Sequence, residues 1–425
     1  MKRPLIAFLL TSMAATLAFG AHLSSQCFLQ DGLGHTLDGV SVDDMHPIAS
    51  VSKVMTSYWA VKTMGANGRY KTVFHLKKID AEQYDVHIQG SRDPFSDQQM
   101  WQYVVGELNK KGIYKIRNLT FDENFKYSRS SPEHPTIHIS DVSQPAPDTV
   151  AASIRSSLQG LNVGYGATRA LALSEMNLSL PESIHLQVSD IVFSSLSDFK
   201  PDDFDEHQVY QSAPLVTLLR EMNRNSNNFA ANQFFESLGG AEQFQVFMEK
   251  DLNLGPNEVS FVNGSGDRYE RTSQAYNLAS CRSIVTVLKA MSDTLKVSHL
   301  QLDNVFALAG ADEGGASTVS EVYKDDLTNH ALVAKTGTVN PAVTLGGVMS
   351  TEDGDFYFGY IYATNGSAGD WRSARLQIRA QINNFFRQHA AKPMNASVGK
   401  FLPFDSQSTL TKLQVTDPRR PHSLS

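Results

Sequence analysis

Three short groups of residues able to do chemistry follow one another along the chain: Ser50-Val51-Ser52-Lys53, Ser226-Asn227-Asn228 and Lys335-Thr336-Gly337-Thr338. Residues three apart share one face of a helix, so Lys53 can bring its amine to the hydroxyl of Ser50. A serine attacks a carbonyl well only with a base beside it, and an amine is a base only when neutral. Burial and a neighbouring cation both lower a lysine pKa, and Lys335 is the candidate cation. Ser50 would then form an acyl-enzyme, and its place at a helix start offers backbone N–H groups to the developing oxyanion. Lys335 to Thr338 reads as a strand edge along which a peptide-like substrate pairs with the backbone, while the ammonium and hydroxyls hold a terminal carboxylate. Gly337 permits the close approach. Ser226 can relay a proton between Lys53 and a leaving amine, and Asn228 can hold both the lysine and a substrate amide. Taken singly, Ser226 is a cap, Asn228 a turn residue and Lys335 a solvated strand charge; their order and joint presence favour catalysis.

The elements around these residues agree with that use. Apolar residues at Val51, Val54, Met55, Tyr58 and Val61 predict a helix over 50–64, buried on one face and closed by Gly65. S-x-x-K recurs as Ser197-Asp198-Phe199-Lys200 and Ser397-Val398-Gly399-Lys400, but Pro201 follows one and Gly399 interrupts the other, so neither presents its pair on a helical turn. Pro214 opens a second helix and a third runs from about Phe229 to Leu238, with Asn225 to Asn228 in the link between them. The period then changes to two. Segments 331–338, 342–350 and 356–363 predict an antiparallel meander, followed by an amphipathic helix over 371–388. Segments 26–29 and 35–40, flanking Asp31-Gly32, predict two more strands of the same sheet. Residues 66–207 have short alternating segments and turn-rich connections, as in an inserted module. The stretch 391–425 is polar and reads as a mobile tail.

Composition excludes several function classes. In 425 residues, 41% hydrophobic and 19% charged, there is ample material for packed cores, and 37 Lys plus Arg against 44 Asp plus Glu disfavour nucleic acid as a partner. Lys2 and Arg3, the apolar run to Phe19 and the small residues around Ala18-Phe19-Gly20 predict an export signal cleaved near Gly20, with no transmembrane anchor after processing. The two cysteines, Cys27 and Cys281, either pair in an oxidising compartment or stay as free buried thiols. No thiolate zinc site is possible, and Pro135 between His134 and His138 argues against a metal-binding helix, so neither metal nor cofactor is expected.

The three motifs, with His46-Pro47-Ile48-Ala49-Ser50, Gly90-Ser91-Arg92-Asp93-Pro94, Phe121-Asp122-Glu123-Asn124-Phe125, Met222-Asn223-Arg224-Asn225-Ser226 and Gly264-Ser265-Gly266, make the chain resemble the D-alanyl-D-alanine carboxypeptidase/endopeptidase family. These are the class C low-molecular-mass penicillin-binding proteins. The resemblance implies a mixed α+β fold of the DD-peptidase/β-lactamase type. Its core would be a mainly antiparallel five-stranded sheet between helical layers, with a smaller inserted domain. Residues 21–65 and 208–390 would form the catalytic domain, 66–207 the insertion, and 1–20 and 391–425 the signal peptide and tail. The resemblance makes Ser50 the acylated nucleophile, Lys53 the base, Ser226 and Asn228 the second catalytic element, and Lys335, Thr336 and Gly337 the carboxylate-binding strand. The amides of Ser50 and Thr338 would form the oxyanion hole. Two departures stand out: Asn227 where an aspartate is common, and Asp267-Arg268-Tyr269-Glu270-Arg271 in place of the usual Leu-Ser-Arg.

The expected activity is a periplasmic serine DD-peptidase acting on peptidoglycan stem peptides and cross-links, with β-lactams as covalent inhibitors. One rival is a β-lactamase-like hydrolase, although the sequence shows no evident carboxylate base for the deacylating water. Another is a non-catalytic peptidoglycan-binding protein, which would tolerate loss of Ser50 or Lys53.

Overall fold

Alternating apolar residues at both ends of the chain need a shared partner face, and they find it in one sheet. The computed structural model describes residues 21–30, 37–127, 146–267, 275–311, 317–396 and 399–413. In chain order the first elements are β1 (His22–Gln30), β2 (Leu37–Val40), β3 (His46–Pro47), the 3-10 turn Ala49–Val51 and α1 (Ser52–Met64). There follow β4 (Lys71–Lys78), β5 (Gln83–Gln89), α2 (Gln98–Lys110), β6 (Lys115–Phe121), α3 (Pro147–Gln159), α4 (Tyr165–Met176), β7 (Gln187–Phe193) and β8 (Glu206–Gln211). The chain continues through α5 (Leu215–Arg224), α6 (Asn228–Ser237), α7 (Gly240–Leu252), β9 (Val259–Ser260), β10 (Leu278–Ala279), α8 (Cys281–Lys296), β11 (Ala307–Leu308) and α9 (Thr318–Tyr323). It ends with β12 (Leu332–Val339), β13 (Ala342–Thr351), β14 (Gly354–Ala363), α10 (Ala368–His389) and β15 (Thr411–Lys412).

The segment Lys335 to Thr338 lies on β12 of an antiparallel sheet of order β11-β12-β13-β14-β1-β2. It has six strands among the described residues, not the expected five, because the two-residue β11 pairs with Val333 and Ala334 at the start of β12. Side chains alternate across β14. Tyr357 and Ile361 join the core formed by α1 and α5–α8, whereas Phe358, Tyr360 and Tyr362 pack with Ala374, Ile378 and Ile382 of α10. Two helical layers therefore enclose the sheet. The helix carrying Lys53 differs from expectation: Ser52 to Val61 is buried on every side, because α5, α6 and α8 all pack against α1. Of the two readings of the cysteines, the pair is the one found: Cys27 of β1 is disulfide-bonded to Cys281 at the start of α8, tying that helix to the sheet.

A second sheet, of order β15-β8-β4-β5-β6-β7, has its own core with Trp101, Tyr103, Phe121 and Ile154. Its β5, β6 and β7 run parallel, joined through α2, α3 and α4, three helices that the sequence reading did not foresee. The expected mobile tail is corrected here. Phe401, Leu402, Phe404 and Leu410 are buried, and β15 adds an edge strand to β8. Burying four apolar side chains outweighs the ordering of a polar connection around them. The export signal, the segment 136–139 with His134 and His138, Arg268 to Arg271 and the last residues from 414 lie outside the described residues. Among the described residues no helix is long and apolar enough to cross a membrane.

Candidate active site

Ser50 lies in the 3-10 turn that feeds α1, half-buried and facing a cleft. The residue before it, Ala49, is held at φ 49°, a left-handed conformation costly for a residue with a Cβ. Two neighbours fix this turn. Thr344 Oγ1 donates to the Ile48 carbonyl at 2.8 Å, and Gly266 packs so close that a Cβ there would lie 1.9 Å from the Ala49 carbonyl oxygen.

Lys53 is fully buried, and its Nζ lies 2.9 Å from Ser50 Oγ, 2.7 Å from Asn228 Oδ1 and 2.9 Å from the Ser265 carbonyl oxygen. Asn228 Nδ2 donates to Asp267 Oδ2 at 3.3 Å, which leaves Oδ1 directed at the lysine. Burial pushes the Lys53 amine well below the ordinary lysine range, and Lys335 pushes it further, while Asp267 opposes the shift. A neutral amine has two N–H groups and one lone pair. The amide and carbonyl oxygens at 2.7 and 2.9 Å can only accept, so they take both N–H groups, and the lone pair is left for the hydroxyl proton of Ser50.

Lys335 is also buried, and burial lowers its pKa to about 7. Its Nζ donates to Ser226 Oγ at 2.9 Å and to the Thr336 carbonyl at 2.8 Å. Ser226, between α5 and α6, has φ 55° and so repeats the left-handed strain seen beside Ser50. Asn227 caps α6 by accepting from Ala230 N at 3.0 Å, so the residue that departs from the usual aspartate has a structural use here.

Ser50, Ser226, Asn228, Thr336, Gly337 and Thr338 all line one cleft of about 450 Å³, with Lys53 and Lys335 standing behind its wall. The close approach expected of Gly337 is present, since a Cβ there would lie 2.2 Å from Thr344 Oγ1 and 2.9 Å from the Ile48 carbonyl oxygen. Past Ala334 no described strand pairs with the outer edge of β12, so among the described residues Lys335 to Val339 have no strand partner on the side where an extended ligand could pair. Other cleft residues escaped the sequence reading: Asp267, Thr318, Glu321 and Arg375. Asp267 lay in the departure from the family pattern, and its neighbour Ser265 contributes a backbone carbonyl, which no side-chain pattern reveals. Asp267 and Glu321 also supply the carboxylates that had not been evident.

A buried amine against a serine hydroxyl, beside a strand edge on an antiparallel sheet between helices, is the arrangement of the serine DD-peptidases and serine β-lactamases. The sequence matches the D-Ala-D-Ala carboxypeptidase 3 (S13) family over residues 41–158 and 196–388, and the chain belongs to that family. No curated protein matches it. Among solved structures, the predatory peptidoglycan endopeptidase Bd3459 of Bdellovibrio bacteriovorus is 31% identical, with a TM-score of 0.85 over 92% of this chain and 100% of that one. Bd3459 has also been solved acylated by penicillin G in complex with the immunity protein Bd3460, at 31% identity, TM-score 0.84 and the same coverage. Penicillin-binding protein 4 of Haemophilus influenzae shares the fold at 16% identity and TM-score 0.59, over 87% of this chain and 97% of that one.

Proposed function

We propose that this DD-peptidase cleaves D-Ala-containing bonds of peptidoglycan stem peptides and cross-links through an acyl-Ser50 intermediate, as carboxypeptidase and endopeptidase, and that penicillin acylates the same oxygen. The observation that carries the reading is the fully buried Lys53, its Nζ 2.9 Å from Ser50 Oγ and its pKa pushed down by burial and by Lys335, toward the neutral form whose lone pair can take the hydroxyl proton. In this reading Ser50 Oγ attacks the carbonyl carbon as its proton passes to Lys53 Nζ. The amides of Ser50 and Thr338 receive the oxyanion. The tetrahedral adduct collapses as the proton moves by way of Ser226 to the departing amine, and Asn228 holds the lysine and the substrate amide. Water then hydrolyses the ester. Lys335, Thr336, Gly337 and Thr338 form the substrate strand. Site of action and substrate agree with export to the periplasm after cleavage near Gly20.

Muropeptides incubated with the purified protein should release D-alanine and lose cross-links, and penicillin G should add its mass to the peptide containing Ser50. Binding without either product would favour a non-catalytic wall-binding protein. The two carboxylates in the cleft, Asp267 and Glu321, keep a β-lactamase-like reading in play. A persistent penicillin adduct supports the peptidase; rapid loss of the adduct with turnover supports the lactamase.

A further inference from the structure

Resting on the serine DD-peptidase reading, one further assignment concerns how the cleft selects its substrate's end. Two of the cations at this site are withdrawn from it. Lys53 is enclosed by Ser50, Asn228 and Ser265, and Lys335 directs its ammonium at Ser226 and at its neighbour's carbonyl. A third cation lines the cleft itself: Arg375, on the second turn of α10. Its Nη2 donates to Thr338 Oγ1 at 3.0 Å, and among the described residues no carboxylate forms an ion pair with it. Because Thr338 Oγ1 accepts from Arg375, its own hydroxyl proton is free to point at a ligand on the open edge of β12. The neighbouring Thr336 hydroxyl is engaged elsewhere, donating to Thr318 Oγ1 at 2.9 Å.

We propose that Arg375, held against Thr338, is the residue that reads the free α-carboxylate of the leaving amino acid, setting the specificity of the enzyme for C-terminal residues. A guanidinium offers a rigid fork of donors that matches a carboxylate and stays charged at any working pH. Lys335 cannot supply a constant charge, because burial brings its titration to about 7.

The test compares diacetyl-L-lysyl-D-alanyl-D-alanine with its C-terminal amide on the purified protein. Wild type should prefer the free acid in kcat/KM by about 10–100-fold, the range of a charge-assisted hydrogen bond, and should keep the preference at pH 8.5. In R375Q the ratio of acid to amide should fall to near one, and R375K should recover part of it. An unchanged ratio in R375Q, equal losses on both substrates, or a wild-type preference that disappears between pH 6.5 and 8.5 would each overturn the assignment, the last pointing to Lys335 instead. If wild type turns over neither substrate and takes up no penicillin at Ser50, the peptidase reading itself fails and this inference falls with it.

Discussion

The buried ammonium of Lys335 makes a charge on Lys53 more costly, and that coupling has a measurable sign. Lys335 is charged below about pH 7, and its charge adds to burial in lowering the Lys53 pKa. Acylation rises with pH as Lys53 loses its proton, so the acid limb of the rate profile follows the lowered Lys53 pKa. Removing the cation in K335A relieves the repulsion, raises the Lys53 pKa and should move that limb to higher pH, besides slowing acylation by about 10²–10⁴-fold. Asp267 acts in the opposite direction on Lys53, so D267N should move the limb to lower pH. The second-order rate of penicillin acylation across pH 4.5–8, followed by mass spectrometry, reads both displacements. Limbs that stay in place in both variants would mean that burial alone keeps Lys53 neutral.

At the scale of elements, the site depends on how closely β12 and β13 approach the turn bearing Ser50. Thr344 lies opposite Gly337 in the register and also donates to the Ile48 carbonyl, so one side chain fixes strand and turn together. In G337A the new methyl would meet Thr344 Oγ1, the Ile48 carbonyl and Ala49 Cβ, the last at 3.0 Å, and must push them apart. A displacement of about 1 Å at a nucleophile costs roughly 10²-fold, so penicillin acylation should slow by about that factor. A thermal melt run beside it separates this from unfolding, and an unchanged rate would show that the contact yields harmlessly. The strands of the meander were legible because a buried sheet face imposes a period of two. The burial of Ser52, Thr56 and Ser57 was not, since periodicity marks apolar residues and is blind to polar ones enclosed by distant helices, whereas that of Lys53 was expected from its chemistry. Arg375 and Thr318 escaped for a similar reason: α9, α10 and β12 meet only through the topology of the sheet. The tail was misread because four apolar residues were dispersed among polar ones.

At the scale of the molecule, the C-terminal segment and a pair of buried acids lie where the two sheets' cores adjoin. Phe401 packs on Phe95, Phe404 stacks on Tyr103 at 4.4 Å, and Arg69 holds both Asp405 oxygens, at 2.9 and 2.6 Å. Beside them Asp93 accepts from Phe95 N and Asp97 caps α2 through Gln99 N and Met100 N, yet burial raises both carboxyl pKa values to about 7. A carboxyl whose pKa rises on folding stabilises fully below its unfolded value, and that contribution is lost as pH climbs toward the folded one. His75 and His87 behave oppositely: burial lowers each from 6.5 to about 4, so their contribution is lost as pH falls through that window. The two pairs therefore offset one another between about pH 4 and 7. D93N keeps an oxygen for Phe95 N and removes one titrating acid. Measured as urea unfolding free energy, the difference between D93N and wild type should move in the variant's favour by more than about 1 kcal/mol from pH 4.5 to 8. A difference that stays constant with pH would mean that Asp93 is already ionised in the folded protein at acid pH, and that the offset does not exist.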